Sequence, residues 1–415
     1  MSAQGTQAIA AGAGYEVVAE PSITSPSGFV AGGVHAGLKK KKLDLGMIFC
    51  EVPASAAAVY TMNAFRAAPL KVTQSSLAIE GKLQAVVVNS GNANACTGQR
   101  GLEDALKTRR EAAGLLGIPE YRVAVASTGV IGQFLPMDRV TEGLSRLVKE
   151  VGKEGHLSFC QSILTTDTCT KEAEVVLSVE GRPVRIAGAA KGSGMIHPQM
   201  ATMLAFITTD AVIDSRHLEK LLRDVTDETF NMITVDGDCS TNDMALVMAS
   251  GQAGHSPLHP DHPDWAVFKA GFAHVARELA KMIARDGEGA TRLVEVRVTG
   301  AASQNMARRV AKSVAGSNLV KSAVYGADAN WGRVFCATGY ADPEVRTDAV
   351  DLYIGKIPVV LESRPVSFDE DQVQAHMKEE QVKIHIDLHQ GDHQAVAWGC
   401  DLTYDYVRIN ACYRT

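Results

Sequence analysis

Lys191-Gly-Ser-Gly-Met-Ile-His-Pro-Gln-Met-Ala-Thr-Met-Leu-Ala-Phe-Ile-Thr-Thr-Asp210 changes character halfway along its length. Gly192, Gly194 and the turn-forming Pro198 keep the first half irregular, and the apolar run over 203–207 then reads as a buried strand. Ala201 and Thr202 therefore stand where a loop becomes a strand. The rest of the chain can be read outward from that junction.

A threonine hydroxyl is a poor nucleophile unless a base adjoins it, and the one base that a threonine can carry with it is its own free amine. Such an amine has an ordinary pKa of about 7.7 to 8, close to neutrality, which suits a general base better than a lysine near ~10. It exists only once the preceding peptide bond is cut. Ala201-Thr202 is thus a candidate self-cleavage bond that would expose Thr202 as nucleophile and base together. On its own the pair is far more often an ordinary strand start, so the surroundings decide.

Seven further segments stand around it: Asn89-Ser-Gly-Asn-Ala-Asn-Ala-Cys-Thr-Gly98, Ser127-Thr-Gly-Val-Ile-Gly132, Thr165-Thr-Asp-Thr168, Val235-Asp-Gly-Asp-Cys-Ser-Thr-Asn-Asp243, Arg285-Asp-Gly-Glu-Gly-Ala-Thr291, Gly326-Ala-Asp-Ala-Asn-Trp-Gly-Arg333 and Ile409-Asn-Ala-Cys-Tyr-Arg-Thr415. With 191–204 they resemble, in the same order, the ornithine acetyltransferase family, the glutamate N-acetyltransferases of arginine biosynthesis. The match runs from about residue 28 to 415.

The resemblance implies a function and a set of site residues. Thr202 would be the nucleophile, freed by a cut between Ala201 and Thr202, and Thr128 and Gly129 the oxyanion hole. Thr165, Lys191, Thr202, Glu288, Asn410 and Thr415 would bind substrate. The acetyl group of N-acetylornithine would pass through an acetyl-threonine to glutamate. Both substrates are amino acids, so the pocket needs a cation for a carboxylate and an anion or polar groups for the far end. Lys191 and Glu288 can supply those charges. No cofactor and no metal is implied.

The family's architecture would be an α/β sandwich with the cut strand in its middle. It would comprise an α chain (1–201) and a β chain (202–415), assembled as α2β2. A bifunctional member would also take acetyl groups from acetyl-CoA, and a self-cleaving aminopeptidase or amidase would pass them to water. A non-enzymatic binding protein is the remaining alternative. Two departures stand out: Gln199 replaces an asparagine common among relatives, and Cys412 and Arg414 lie between the two matched tail residues.

Composition narrows the class independently. The chain has 415 residues, 46% hydrophobic and 21% charged, which suits an ordinary globular protein of two to three domains' length. A net charge of -6 argues against nucleic-acid binding. The only basic run, Lys39 to Lys42, reads as a solvated turn. No lysine or arginine precedes Lys39, so no secretory or mitochondrial leader is expected. No apolar run reaches the ~18 residues of a membrane span. Eight cysteines without a Cys-x-x-Cys pair fit reduced thiols in a cytoplasm.

Secondary structure follows from periodicity and punctuation. Residues 1–14, small and polar, are expected to be disordered. Strands are expected over 47–52, 84–89 and 122–126, the last delivering Ser127-Thr128-Gly129 as a loop. A hairpin is expected with strands over 173–179 and 184–187, turning at Glu180-Gly181. Helices are expected over 102–116, ended by Gly117, over 137–151, from Ser215 behind Asp214, and over 303–315. A long helix carries Phe268, Phe272, Val275, Leu279 and Met282 as a buried stripe. A strand is expected over 293–299, and beyond Arg333 the chain reads mostly as strand, over 359–361, 382–388 and 395–402. Asp236-Gly-Asp238 lacks the spacing of a calcium loop and reads as structural. Without a regular strand-helix alternation, α+β layers are expected rather than a doubly wound sheet.

Overall fold

The expected central strand is present as Leu204–Thr209, and all six of its residues are buried. This is a computed structural model of the protein, and it describes residues 14–197 and 203–412. Ala201, Thr202, Thr415 and the expected disordered start over 1–13 lie outside the described residues.

Among the described residues, nine strands form one large sheet: β1 (Tyr15–Val17), β2 (Phe29–Val34), β3 (Leu45–Tyr60), β4 (Lys82–Asn92), β5 (Val123–Val130), β6 (Lys171–Val179), β7 (Arg182–Lys191), β8 (Leu204–Thr209) and β9 (Met244–Ala249). Their order is β1-β6-β7-β8-β9-β3-β4-β5, with β2 paired to β3. β8 thus sits mid-sheet, antiparallel to β7 and parallel to β9. A second sheet holds β10 (Leu293–Ala301), β11 (Asp351–Ile354), β12 (Ile357–Leu361), β13 (Arg364–Pro365), β14 (Gln381–Asp387) and β15 (His393–Cys400). In the large sheet, the strands before residue 202 (β1–β7) and the two that follow it (β8 and β9) are continuous.

The helices are α1 (Ala68–Glu80), α2 (Gly98–Leu116), α3 (Met137–Glu150), α4 (His156–Ile163), α5 (Ser215–Glu228), α6 (Trp265–Arg285), α7 (Gln304–Gly316), α8 (Asn318–Gly326), α9 (Trp331–Ala341), α10 (Glu370–Met377) and α11 (Tyr404–Cys412). Helix α6 packs on β6 and β7 and also on β10 and β15, so it lies between the two sheets. Phe268, Phe272, Val275 and Leu279 are buried there, as their spacing demands, while Met282 is only half-buried.

Strand β8 shows why a continuous apolar run is needed at the centre. Ala205 and Ile207 join the core on the α6 side, whereas Leu204 and Phe206 join Phe29 and Phe159 on the other. Side chains alternate faces along a strand, so a strand covered on both sides must be apolar throughout. Each such large side chain contributes about 1.5–3 kcal/mol by leaving water.

Two expectations are corrected. Thr128 and Gly129 do not form a loop, because β5 continues through Val130 and pairs with β4 across a bulge at Gly91 and Asn92. Beyond Arg333 the chain is not mostly strand, since α9, α10 and α11 take up a comparable share of it. No helix among the described residues is long and apolar enough to cross a membrane. All eight cysteines are free.

Candidate active site

The end of β5 is shaped by a close approach of two backbones. Gly129 has φ +131, and a Cβ there would meet the carbonyl carbon of Gly91 at 2.4 Å and the nitrogen of Asn92 at 2.6 Å. Only glycine fits, and its absent side chain lets the strand end lie against β4. Side chains fasten the same turn. Ser127 Oγ donates to Asn89 Oδ1 at 2.5 Å, and Asn242 Nδ2 donates to the carbonyls of Ser127 (2.8 Å) and Ala93 (2.6 Å).

Lys191 ends β7 opposite Leu204 of β8 and is buried. Its Nζ donates to Thr128 Oγ1 at 3.4 Å and lies 3.9 Å from Asp167 Oδ2. Asp167 in turn accepts from Thr165 N at 3.0 Å, Gly192 N at 2.6 Å and Lys171 Nζ at 2.8 Å. Burial opposes ionisation of Asp167, but Lys191, Lys171 and these donors outweigh it and hold the carboxyl below the usual carboxylate range. Lys171 also reaches Asp286 Oδ2 at 2.5 Å. Burial favours its neutral form, and the two carboxylates reverse this and raise its pKa.

The other side of the site is acidic. Glu288 is buried, and its Oε2 accepts from Asn410 Nδ2 at 2.7 Å, which brings α11 onto the site. A Cβ on Gly194 would strike the Glu288 carboxyl, so glycine at 194 makes its room. Asp236 accepts from Met195 N (2.6 Å) and Ile196 N (2.9 Å), so it fastens the turn after Gly194, and both Asp236 and Asp238 also line the cavity. Burial raises its pKa. Tyr406 is pushed up as well, by burial first and then by Asp236, Glu288 and Asp238.

These groups enclose a cavity of about 210 Å³. Thr128, Gly129, Thr165, Lys191, Glu288 and Asn410 all line it, with Met203 and Leu204 contributing to the wall just after residue 202. Six of the positions implied by resemblance are thereby brought together from five separate segments. The candidates Ala201, Thr202 and Thr415 lie outside the described residues.

Sequence reading passed over several buried groups. Asp167, Lys171 and Asp286 stand in or near quoted segments, yet a charged residue among small polar ones gives no sign that it is buried. Asp243 also lines the cavity; burial pushes its carboxyl well above the ordinary range, with Lys191 pulling the other way. Its Oδ2 has no hydrogen-bond partner among the described residues. In the basic run, Lys40, Lys41 and Lys42 are exposed as expected, but Lys39 is half-buried and donates to Leu164 O at 2.9 Å. Burial lowers its pKa to about 8.

A strand end backed by glycine, a buried ammonium beside it and a carboxylate across the cavity suit chemistry on a small, doubly charged acyl compound. The class, an acyltransferase of arginine biosynthesis, is set by the chain's relatives. The chain belongs to the ArgJ family, which it matches over residues 30–415. It is 58% identical over 398 residues to the arginine biosynthesis bifunctional protein ArgJ of Geobacillus kaustophilus, covering 96% of this chain and 97% of that protein. The protein of the same description from Halalkalibacterium halodurans is 58% identical over 395 residues, covering 95% and 96%. Among solved structures, that of arginine biosynthesis bifunctional protein argJ from Bacillus halodurans aligns with a TM-score of 0.44 and 56% identity, covering 45% of this chain and 98% of that one. The ornithine acetyltransferase of Mycobacterium tuberculosis, solved with ornithine, aligns with a TM-score of 0.42 and 39% identity, covering 45% and 100%.

Proposed function

We propose that the chain cuts itself between Ala201 and Thr202 and then moves the acetyl group of N-acetylornithine to glutamate through an acetyl-Thr202 intermediate. The observation that carries this reading is the convergence of Thr128, Gly129, Thr165, Lys191, Glu288 and Asn410 on one cavity whose wall begins at Met203. In the forward half-reaction, Thr202 Oγ attacks the acetyl carbonyl while its amine takes the hydroxyl proton and passes it to the departing amine. Thr128 and Gly129 hold the oxyanion, a type of contact often worth about 3 kcal/mol per donor. Glutamate then takes the acetyl group by the reverse sequence.

The charge distribution supports an orientation. Lys191 would hold the α-carboxylate common to both substrates, beside the oxyanion donors. Glu288, with Asp236, Asp238 and Asn410 on the same cavity, would face the ammonium end of the donor. Thr165 and Thr415 would add hydrogen bonds.

Residues 1–201 and 202–415 would remain one unit after the cut, because β7 stays paired with β8 and β3 with β9. Assembly as α2β2 is proposed from resemblance, and a cytoplasmic setting is supported by the free thiols. A second reading is favoured by the relatives' description as bifunctional: acetyl-CoA would serve as a further donor.

Intact mass spectrometry under denaturing conditions, beside Thr202→Ala, tests the first step. Two fragments that meet at Ala201 and Thr202 are expected, with a single chain of 44.2 kDa in the variant. One uncut chain in both samples would remove the amine and with it this mechanism. Assay of the cut protein with N-acetylornithine or acetyl-CoA as donor then settles between the two readings.

A further inference from the structure

The carboxylate of Asp167 is surrounded by donors alone. Lys171 Nζ and Gly192 N point at Oδ1, and Thr165 N points at Oδ2, with Lys191 Nζ 3.9 Å away. Among the described residues no hydrogen-bond donor of Asp167's own is needed or used. Only a carboxylate, which accepts through both oxygens, satisfies this arrangement, since an amide of the same shape would turn an NH2 toward a donor. The side chain is inaccessible to water, as is that of Lys171. A charge kept at such a site is costly unless paired, and here Lys171 and Lys191 balance Asp167 and Asp286, two against two.

The partners of this cluster are the site itself. Thr165 hangs on Asp167 directly, and Gly192, also held by Asp167, follows Lys191 in the chain. Asp286 receives Thr168 N at 3.1 Å, its carbonyl accepts from Ser193 Oγ at 2.6 Å, and Ser193 O accepts from Glu288 N at 3.0 Å. An ammonium has three hydrogens. For Lys191, one is directed at Thr128 Oγ1, and the Asp167 carboxylate 3.9 Å away attracts the ammonium.

We propose that Asp167 is a positioning residue of the transfer reaction, which aims the Lys191 ammonium at the substrate carboxylate and at Thr128 while holding Thr165 at the cavity wall. The proposal rests on the acetyl-transfer reading above. Asp167 touches neither substrate nor reacting atoms in it, and its effect on turnover runs through Lys191 and Thr165.

A double-mutant cycle tests this, because residues that act through one another lose additivity. Asp167→Asn, Lys191→Met and the double variant are compared with wild type by kcat and KM for N-acetylornithine and glutamate, with a melting curve as fold control. Asp167→Asn should lose about a hundredfold in kcat/KM for both substrates, the scale of a ~1 Å misplacement at a reacting site. In the Lys191→Met background the same change should cost less than about threefold. A merely structural role would multiply the two losses instead.

Should Asp167→Asn fail to fold, Asp167→Glu carries the same cycle, since it keeps the charge and moves it by one methylene. Losses that multiply, or wild-type kinetics in either Asp167 variant, overturn the role of Asp167 while the active wild type upholds the reaction. A wild type that transfers no acetyl group overturns the reaction and the role together.

Discussion

At Gly129 the chemistry of a single residue reduces to the absence of one carbon. Its positive φ and the 2.4 Å approach of Gly91 exclude any Cβ without movement of β4 or β5. In the proposed mechanism the donors at this strand end act on charge that exists only in the transition state. Gly129→Ala should therefore lower kcat by about a hundredfold and leave KM nearly unchanged, since uniform binding is not what is lost. Steady-state kinetics on protein that is fully cut by mass check this, and an unchanged kcat would mean that the β4–β5 junction does not hold the oxyanion. From Ser127-Thr128-Gly129 alone this junction looked like a loop. The bulge at Gly91 and Asn92 that keeps it in the sheet is a pairing between distant segments, which no local pattern encodes.

Elements were legible where one face or one cap dominates them. Asp214 accepts from His217 N and Ser303 from Met306 N, so the helices behind them start where cap residues say they should. Glu180 and Gly181, both at positive φ, make the expected hairpin turn. Elements whose stripe is broken were not legible. Helix α1 buries Thr73 and Ser76 on the side facing β5, where they donate to Val125 O and Val123 O, so its apolar period is interrupted. Helix α11 has no buried residue at all, and Asn410 reaches Glu288 from an element that hydrophobic periodicity cannot reveal. β8 stands at the other extreme. Phe206 is fully buried, edge-on to Phe159 at 5.7 Å, in the strand that links the two cores. Phe206→Ala should destabilise the fold by about 3–5 kcal/mol, read as a lowered midpoint in urea, whereas a loss below about 1 kcal/mol would mean that the core can close over the gap.

Across the whole molecule, the buried groups with lowered pKa values lose their stabilisation in two separate acid windows. His197 lies between the glycine turn and Thr202, with Nδ1 bonded to Thr234 Oγ1 at 2.9 Å. Burial first, and then the positive charge of Lys312, lower its pKa from 6.5 to about 4. Its folded pKa is below its unfolded one, so between these values the unfolded chain binds more protons and stability must fall as pH falls from 6.5 toward 4. Burial lowers His274 and His385 in the same direction, so they add to the same window. Asp167 belongs to a lower one: its folded carboxyl is depressed, and its stabilisation is complete above the ordinary carboxylate pKa of about 3.9 and lost only below it. The raised carboxyl of Asp243 and the raised His389 act the other way as pH falls, so the His197 contribution is read as the difference between wild type and variant. His197→Gln, which keeps a polar group near Thr234 but cannot take up a proton, should lose less stability than wild type between pH 6.5 and about 4, with the loss from Asp167 below about pH 4 the same in both. Parallel wild-type and variant curves down to pH 4 would show that His197 titrates alike in the folded and unfolded states.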